Sequence, residues 1–328
     1  MATGFGSAAV TDRVDAVERE VAVVGRRVLA DRVVSLVLAD PGGGALPAWE
    51  PGAHVEVALP GGYVRQYSLC GSPQDLRSWR IAVLREPAGR GGSATVHDEI
   101  QEGARLRVRG PRNHFPLRDA PRYVFIAGGI GITPILPMVE AVSRAGRDWV
   151  LHYGGRTARS MAFTDELARH GERVALVPED TLGPLPLPDI LGQPRDGVAV
   201  YCCGPPGLIA AVEAQCREWP AGSLHVERFT AGPAQPGGPR QPIEVVCAVS
   251  GQVLHVPPDR SILEVAEAAG LNPLSSCAEG ICGTCETEVV EGEPEHLDSL
   301  LTDEERAGGR TMLICVSRAR TPRLVLDL

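Results

Sequence analysis

Four cysteines near the end of the chain have the spacing of ligands that converge on one metal centre. They are Cys277, Cys282, Cys285 and Cys315. The first three form a C-x4-C-x2-C run, which is typical of a plant-type [2Fe–2S] cluster held by four thiolates. Gly280 and Gly283 lie within this run and allow the chain to curl tightly around a small cluster. The alternatives are a structural zinc site and free core cysteines. Zinc sites more usually pair two C-x2-C units, and only one is present.

A second group of polar residues has the composition of a flavin site. Arg65, Tyr67 and Ser68 lie in the run RQYSL, which closes an expected strand. A cation, an aromatic ring and a hydroxyl can bind a phosphate, stack on a flat ring and hydrogen-bond its edge. The turn GRGGS, with Gly91, Gly92 and Ser93, offers backbone N–H groups for a phosphate. Taken alone, the first run is also compatible with an ordinary strand and the second with a flexible turn.

Two turns have the character of a dinucleotide site at a sheet edge. The run GGIGITP joins an expected buried strand to a helix N-terminus, which favours a pyrophosphate. Its candidate residues are Gly129, Ile130, Gly131 and Thr133. A second turn, CGPPG, ends a later strand and begins another helix. Its candidates are Cys203, Gly204 and Pro205. Parallel strands place both turns at the same carboxyl edge.

The choice between NADH and NADPH depends on charges that follow two of these strands. Glu179 and Asp180 follow the third strand, where a carboxylate can hold a ribose diol and repel a 2′-phosphate. Arg156 and Arg159 lie on the preceding loop and can accept such a phosphate. We expect NADH, with NADPH as the alternative.

The elements that position these residues change along the chain. Residues 18–119 show short alternating apolar runs with turn signals, which predicts an antiparallel β-barrel. Residues 120–229 alternate buried strands and helices, which predicts a parallel α/β domain. A run rich in Pro and Gly, 231–241, is expected to be a linker. Residues 242–328 have two strands followed by a helix, which predicts a small α+β domain.

Composition and charge limit the functional classes. The chain has 328 residues, no stretch long and apolar enough to predict a membrane span, and an N-terminus without the features of a signal peptide. We therefore expect a cytoplasmic protein with a frayed N-terminus. The net charge of −9 is concentrated from Gln241 onwards, which argues against nucleic-acid binding there. Such a surface suits docking onto a basic partner, although acidity can also serve solubility alone.

The order of these motifs resembles the phthalate dioxygenase reductase and vanillate demethylase reductase family, within the ferredoxin–NADP reductase superfamily. The resemblance covers about Glu18 to Leu328. RQYSL is similar to the family's R-x-Y-S flavin motif, GRGGS to its phosphate loop, and GGIGITP and CCGPPG to its nicotinamide motifs. The cysteine segment is similar to its C-terminal β-grasp ferredoxin. The run HVERF resembles a closing H-x-E-x-F, which implies that Phe229 lies near the flavin.

The resemblance implies an enzyme that passes electrons from NADH through FMN to the cluster and on to an oxygenase. FMN is expected rather than FAD because the ferredoxin segment follows the flavin domain. Ser68 is implied near the reacting edge of the flavin, and Cys203 beside the nicotinamide. The expected acceptor is a Rieske-type oxygenase, with a cytochrome P450 as the alternative. A non-enzymatic iron–sulfur carrier or redox sensor is the alternative of another class.

The remaining histidines and cysteines show no pattern of catalytic or metal-binding groups. His54, His97 and His114 have no metal-like partners at useful spacing, so we expect structural or surface roles. The other cysteines are expected to be small core residues. They are Cys70, Cys202, Cys216 and Cys247.

Overall fold

The computed structural model describes residues 18–87, 89–230 and 240–328, without the side chain of Asp303. The expected N-terminal fraying and most of the expected linker lie outside the described residues. Contacts divide the chain into a first compact unit that ends at Glu227 and a second that begins at Arg228. Within the described ranges, no helix is long and apolar enough to cross a membrane.

The first sheet has six antiparallel strands that curl into a barrel. The elements are β1 (Arg19–Ala30), β2 (Val33–Ala39), β3 (His54–Leu59), β4 (Tyr63–Ser68), β5 (Ser78–Leu84), α1 (Gly92–Asp98) and β6 (Arg105–Arg112). Their order in the sheet is β4-β3-β6-β1-β2-β5. Just beyond β4, the Cys70 N–H donates to the Arg80 carbonyl of β5 at 2.8 Å. The outer strands therefore meet, and the predicted antiparallel barrel is confirmed.

The second sheet is parallel and carries helices. The elements are β7 (Arg122–Gly128), α2 (Ile132–Arg144), β8 (Asp148–Gly155), α3 (Thr164–Ala168), β9 (Val174–Pro178), α4 (Glu179–Leu182), α5 (Leu187–Leu191), β10 (Val198–Cys203), α6 (Pro206–Gln215) and β11 (Leu224–Glu227). The order is β11-β10-β7-β8-β9, so the winding reverses beside β7. In such sheets ligands bind at the carboxyl ends of the strands where the order reverses. The predicted α/β architecture is confirmed.

The barrel and the parallel sheet share part of one hydrophobic core. Val33, Ala82 and Phe115 pack in the same cluster as Tyr123 and Tyr201 of the parallel sheet. Both sheets lie in the first compact unit, so contacts alone do not separate them at residue 120. The three-domain boundaries stay a prediction, although each sheet lies within one of the three predicted segments.

The second unit has the topology of a β-grasp. Its elements are β12 (Ile243–Cys247), β13 (Val253–Val256), α7 (Ile262–Ala268), β14 (Glu286–Glu291), β15 (Pro294–Glu295), α8 (Asp303–Gly308), β16 (Thr311–Leu313), β17 (Arg318–Ala319) and β18 (Arg323–Leu326). The main sheet has the order β13-β12-β18-β14-β16, with β12 and β18 parallel at its centre. Ser261 and Glu264 cap each other at the start of α7, and Gly270 follows its end with φ +80°.

The four cysteines outside the metal motif and outside CGPPG are buried, as the sequence predicts. They are Cys70, Cys202, Cys216 and Cys247. Their thiols pack within hydrophobic clusters of the two units. Burial raises the pKa of Cys70 to about 12, which suits an unreactive core thiol.

Candidate functional site

The four cysteines of the metal motif come together in the second unit. Three lie on the loop between α7 and β14, and Cys315 follows β16. A hydrogen bond with Cys277, together with burial, raises the pKa of the Cys282 thiol. A hydrogen bond with Cys277 lowers the pKa of Cys315, but a hydrogen bond with Cys285 and burial bring it to about 12. Hydrogen bonds therefore connect all four thiols, and Cys277 is the one that is only half-buried.

The cysteine loop curls in the way that a small cluster requires. Ala278, Gly280 and Gly283 all have positive φ, at 55°, 71° and 73°. The Glu279 N–H donates to the Cys277 sulfur at 3.3 Å. Backbone N–H donors of this kind stabilise thiolates and the negative charge of cluster sulfur. In the described part of the chain, no group of three His, Cys, Asp or Glu side chains is spaced for a single metal ion. The fit to a [2Fe–2S] cluster therefore rests on the connected thiols and the N–H donors.

The predicted flavin residues come together where β4 meets the start of α1. The Arg65 guanidinium lies 5.4 Å from the centre of the Tyr63 ring and donates to the Arg90 carbonyl at 3.3 Å. A Cβ at Gly92 would lie 2.8 Å from Arg65 Nε, so the turn packs closely against the Arg65 side chain. A Cβ at Gly91 would lie 2.7 Å from the Tyr63 hydroxyl. The structure thus brings Arg65 and the GRGGS turn together, and their binding of a phosphate stays a prediction.

Two of the predicted hydroxyls differ in what they contact. The Ser93 hydroxyl accepts a hydrogen bond from the Glu86 N–H at 3.0 Å, so it braces its own turn. The Tyr67 hydroxyl is buried and has no hydrogen-bond partner among the described residues. Burial raises its pKa, so it stays a neutral donor. A buried hydroxyl without a partner is expensive, and a bound flavin that accepts its hydrogen bond would remove that cost. The residues present therefore fit a flavin.

Ser68 lies opposite a buried histidine. His54 and Ser68 are paired across β3 and β4, and both are buried. The His54 ring lies 5.5 Å from the His114 ring, and burial lowers the pKa of His54 to about 3. His54 is therefore neutral and buried, which agrees with the structural role expected for it.

The two predicted nucleotide turns lie against each other at the carboxyl edge of the parallel sheet. A Cβ at Gly131 would lie 2.3 Å from the Cys203 carbonyl oxygen, and one at Gly204 would lie 3.1 Å from the Gly128 Cα. Gly129 has φ +55° and opens a single helical turn before α2. Glycine at these positions lets the two turns close together, which leaves the backbone of both available to a ligand.

Three further candidates in these turns have defined surroundings. The Thr133 hydroxyl donates to the Ile130 carbonyl at 3.0 Å and is buried, so it stabilises the turn. Pro205 packs over Gly128, where a Cβ would lie 2.7 Å from the proline Cδ. These residues shape the turn, whereas the N–H groups at the start of α2 are the ones suited to a phosphate.

A half-buried acid lies beside Cys203, and the sequence prediction missed it. The Cys203 sulfur lies 3.9 Å from Glu227 Oε2 at the ends of β10 and β11. Burial raises the pKa of Glu227 to about 8 and that of Cys203 well above its usual value. The pair can therefore hold a proton next to the CGPPG turn, which is predicted to contact the nicotinamide. Glu227 is the acid in HVERF, a motif in which only the aromatic was singled out.

The ribose candidates lie together at the next strand ends. The Asp180 N–H donates to the Arg156 carbonyl at 3.1 Å, and both side chains are exposed. Glu179 begins the same short helix, α4. The Arg159 guanidinium instead lies 3.5 Å from Asp31 of the barrel. Phe229 belongs to the second unit, and its role near the flavin stays a prediction.

Comparison with known proteins identifies two family segments. The 2Fe-2S iron-sulfur cluster binding domain family matches residues 246–320. The oxidoreductase NAD-binding domain family matches residues 125–176. These segments contain the cysteine motif and the first nucleotide turn respectively.

Relatives match over nearly the whole chain. The phenoxybenzoate dioxygenase subunit beta of Ectopseudomonas oleovorans is 43% identical over 303 residues, covering 91% of this chain and 94% of the relative. The vanillate O-demethylase oxidoreductase of Pseudomonas putida is 41% identical over 313 residues, covering 93% and 98%. The phthalate 4,5-dioxygenase oxygenase reductase subunit of Pseudomonas putida is 39% identical over 313 residues, covering 93% and 95%.

Solved structures give the same fold in two settings. Phthalate dioxygenase reductase, described as a modular structure for electron transfer from pyridine nucleotides to [2Fe–2S], aligns with a TM-score of 0.70 and 37% identity. That alignment covers 95% of this chain and 98% of the reductase. An intact type IV self-sufficient cytochrome P450 monooxygenase aligns with a TM-score of 0.90 and 45% identity, covering 95% of this chain and 41% of that one.

These matches confirm the fold class, the oxidoreductase function and the family that the motifs predict. The cysteine motif lies within the matched iron–sulfur segment, and the first nucleotide turn lies within the matched NAD-binding segment. The chain belongs to the family of oxygenase reductases that includes phthalate dioxygenase reductase and vanillate O-demethylase oxidoreductase.

Proposed function

We propose that this chain is the NADH-dependent FMN and [2Fe–2S] reductase component of a Rieske-type oxygenase system. The observation that carries the proposal is the contact among four thiols, three on one curled loop and the fourth on Cys315 after β16. The other unit of the chain contains the residues predicted to bind a flavin and a nucleotide. A carrier or sensor without enzyme activity has no use for the two glycine turns packed at the sheet edge.

The barrel residues bind and orient the flavin in this proposal. Arg65 and the N–H groups of Gly91 and Gly92 hold its phosphate. The buried hydroxyl of Tyr67 donates a hydrogen bond to the flavin, and Ser68 contacts the reacting edge of the flavin ring. We propose FMN because a single phosphate suits one arginine with one short turn, and because the ferredoxin segment follows the flavin domain as in the FMN-binding branch of the family.

The nucleotide residues hold the nicotinamide in place. The N-terminus of α2 and the glycine turn before it hold the pyrophosphate, while Cys203 lies beside the nicotinamide ring. Glu227 is protonated near neutral pH and hydrogen-bonds the nicotinamide amide group or a water beside it. Asp180 binds the ribose diol of NADH and repels a 2′-phosphate.

When bound, the flavin would supply two-electron hydride chemistry and one-electron release, and the cluster would supply one-electron transfer. The chain's own residues order the sites, exclude water and hold the proton between Cys203 and Glu227. Among the cluster ligands, Cys277 is the most exposed, so we place the exit for electrons on that side. The acidic charges of this unit then face the partner.

A cytochrome P450 is the second candidate acceptor. The specific observation that favours it is the TM-score of 0.90 and the 45% identity to the reductase portion of a self-sufficient P450. The relatives that match 91–94% of the chain are named for dioxygenase, demethylase and monooxygenase systems, and we place the Rieske-type partner first.

Two measurements test the proposed function. Flavin extracted from the purified protein should be FMN by mass, with two irons and two acid-labile sulfides per chain. NADH-dependent product formation should then be measured with the reductase and an excess of a Rieske-type oxygenase, and separately with an excess of a P450. We expect faster product formation with the Rieske-type oxygenase. A protein that binds no flavin, or that reduces cytochrome c with neither NADH nor NADPH, would overturn the proposal.

A further inference from the structure

The carboxylate of Asp298 is buried next to the cysteine loop, and it is not one of the predicted cluster ligands. The Asp298 side chain is completely buried. Its Oδ2 accepts the N–H groups of Leu300 at 3.1 Å and Leu301 at 2.8 Å. The Ser317 hydroxyl donates to Oδ1 at 3.4 Å, and that hydroxyl lies two residues beyond Cys315. One end of the carboxylate thus stabilises its own turn, and the other binds the segment of the fourth cysteine.

The same turn contacts the loop of the first three cysteines. The Ser299 N–H donates to the Gly280 carbonyl at 2.9 Å. A Cβ at Gly280 would lie 3.1 Å from the Asp298 Cα and 2.5 Å from Val316 Cγ2. The loop, the turn and the segment after Cys315 are therefore packed without spare room at Gly280.

Arg306 of α8 completes this arrangement. Its Nη2 donates to the Asp298 carbonyl at 2.7 Å and lies 3.5 Å from Oδ2, while Nε donates to the Leu301 carbonyl at 2.9 Å. His296 Nδ1 lies 3.7 Å from Oδ1. The Arg306 guanidinium thus contacts both the carboxylate and the backbone carbonyl of Asp298. These contacts fix the position of the buried side chain.

We propose that Asp298 is a positioning residue for the cluster, because it holds the loop of Cys277–Cys285 and the segment of Cys315 at a fixed separation. Ligands from two separate segments must meet within a few tenths of an ångström of their ideal places. Side chains behind metal ligands commonly control how well a site retains its metal. This inference rests on the cluster in the proposed function.

The test compares cluster retention in the full-length holoprotein with four substitutions. Asp298→Ala removes both side-chain oxygens that accept hydrogen bonds. Asp298→Asn keeps one oxygen for the N–H groups of Leu300 and Leu301 and a polar NH2 group facing Ser317. Gly280→Ala adds the Cβ that the packing excludes. Val256→Ala, in the same hydrophobic core, is the control for general destabilisation. Iron loss to a ferrous chelator is followed by the long-wavelength absorbance of the cluster, and the unfolding temperature of each protein is measured in parallel.

We expect Asp298→Ala and Gly280→Ala to lose iron about tenfold faster than wild type. Asp298→Asn should stay within about twofold of wild type and keep the same electron paramagnetic resonance (EPR) line shape for the reduced cluster. Val256→Ala should lower the unfolding temperature without a matching rise in iron loss. If Asp298→Ala does not fold, Ser317→Ala is compared with Val256→Ala instead, because it removes the hydroxyl that donates to Asp298 Oδ1. Faster iron loss in Ser317→Ala than in Val256→Ala supports the inference, and equal iron loss overturns it.

Two results would overturn the inference. Iron loss that follows the unfolding temperature equally in all variants would show a general structural role only. Failure of Asp298→Asn to restore retention would show that the hydrogen bonds are not the cause. Wild-type protein that holds no iron would instead overturn the proposed function, so the two failures are distinguishable.

Discussion

The Cys203 thiol and the Glu227 carboxyl lie 3.9 Å apart at the ends of two adjacent parallel strands, with Cys203 buried and Glu227 half-buried. An acid with a raised pKa beside a neutral thiol is a proton-holding pair rather than an ion pair. Because Glu227 lies beside the nucleotide turns, it is a candidate catalytic residue. Its raised pKa should also make the free energy of unfolding depend on pH.

We predict that Glu227 makes the first unit less stable as pH rises. Burial raises its pKa from 4.5 to about 8. The folded state therefore binds the proton more tightly than the unfolded state, and the stabilisation is present below about pH 4.5 and lost as pH rises through about 8. The shift corresponds to a few kcal/mol at most, on the order of 1.4 kcal/mol per pH unit. Glu227→Gln should flatten this dependence.

Tryptophan fluorescence measures this effect separately in the first unit, because Trp49, Trp79, Trp149 and Trp219 all precede residue 228. Urea unfolding at pH 6 and pH 8.5 gives the two free energies. The exposed Glu218→Gln is the matched control. An equal pH dependence in wild type and Glu227→Gln would contradict the assignment.

We predict that Arg65→Ala weakens FMN binding by about tenfold to a hundredfold, since hydrogen bonds to charged groups contribute about 1.5–3 kcal/mol. The measurement is quenching of FMN fluorescence on titration into flavin-free protein. Arg77→Ala removes a surface arginine that contacts the Gly43 carbonyl and is the control. Unchanged affinity in Arg65→Ala would exclude the phosphate role.

Replacement of Asp180 should change the nucleotide preference. Asp180→Ala removes the carboxylate but leaves the guanidinium of Arg156. The backbone hydrogen bond from the N–H of residue 180 to the Arg156 carbonyl is also kept. We expect the ratio of kcat/KM for NADH over NADPH to fall by about tenfold, or about 1.4 kcal/mol. Asp189→Ala, at an exposed position of α5, should leave the ratio unchanged. A wild-type preference for NADPH would contradict the account.

The ion pair between the barrel and the parallel sheet should stabilise their contact. Arg80 donates to Glu166 through two hydrogen bonds of 2.7 and 2.9 Å and also donates to the carbonyl of Cys70, which follows β4. Because the pair is partly exposed, we expect Glu166→Gln to lower the free energy of unfolding by only about 1 kcal/mol. The exposed Glu172→Gln should have a smaller effect in the same fluorescence assay, and a larger one would contradict this role.

Local spacing made the cluster ligands, the glycine turns and the order of the sheets predictable. The cysteine motif lies within a single loop plus one distant residue, and the turns follow apolar strands of the usual length. Asp298 and Glu227 were not predictable in the same way, because their roles depend on burial and on contacts between distant segments. An acid in a strand or turn looks like any exposed acid until the fold places Ser317 or Cys203 beside it. The unpartnered Tyr67 hydroxyl likewise exists only in the folded barrel.

The most direct test of the central claim is anaerobic reduction by NADH, followed by EPR. We expect wild-type protein to show bleached flavin absorbance and the signal of a reduced [2Fe–2S] cluster, and to reduce cytochrome c. Cys282→Ala should still bleach its flavin with NADH but show no cluster signal and little cytochrome c reduction. A wild-type protein that bleaches its flavin without any cluster signal, or a variant that reduces cytochrome c as fast as wild type, would contradict the proposed electron path.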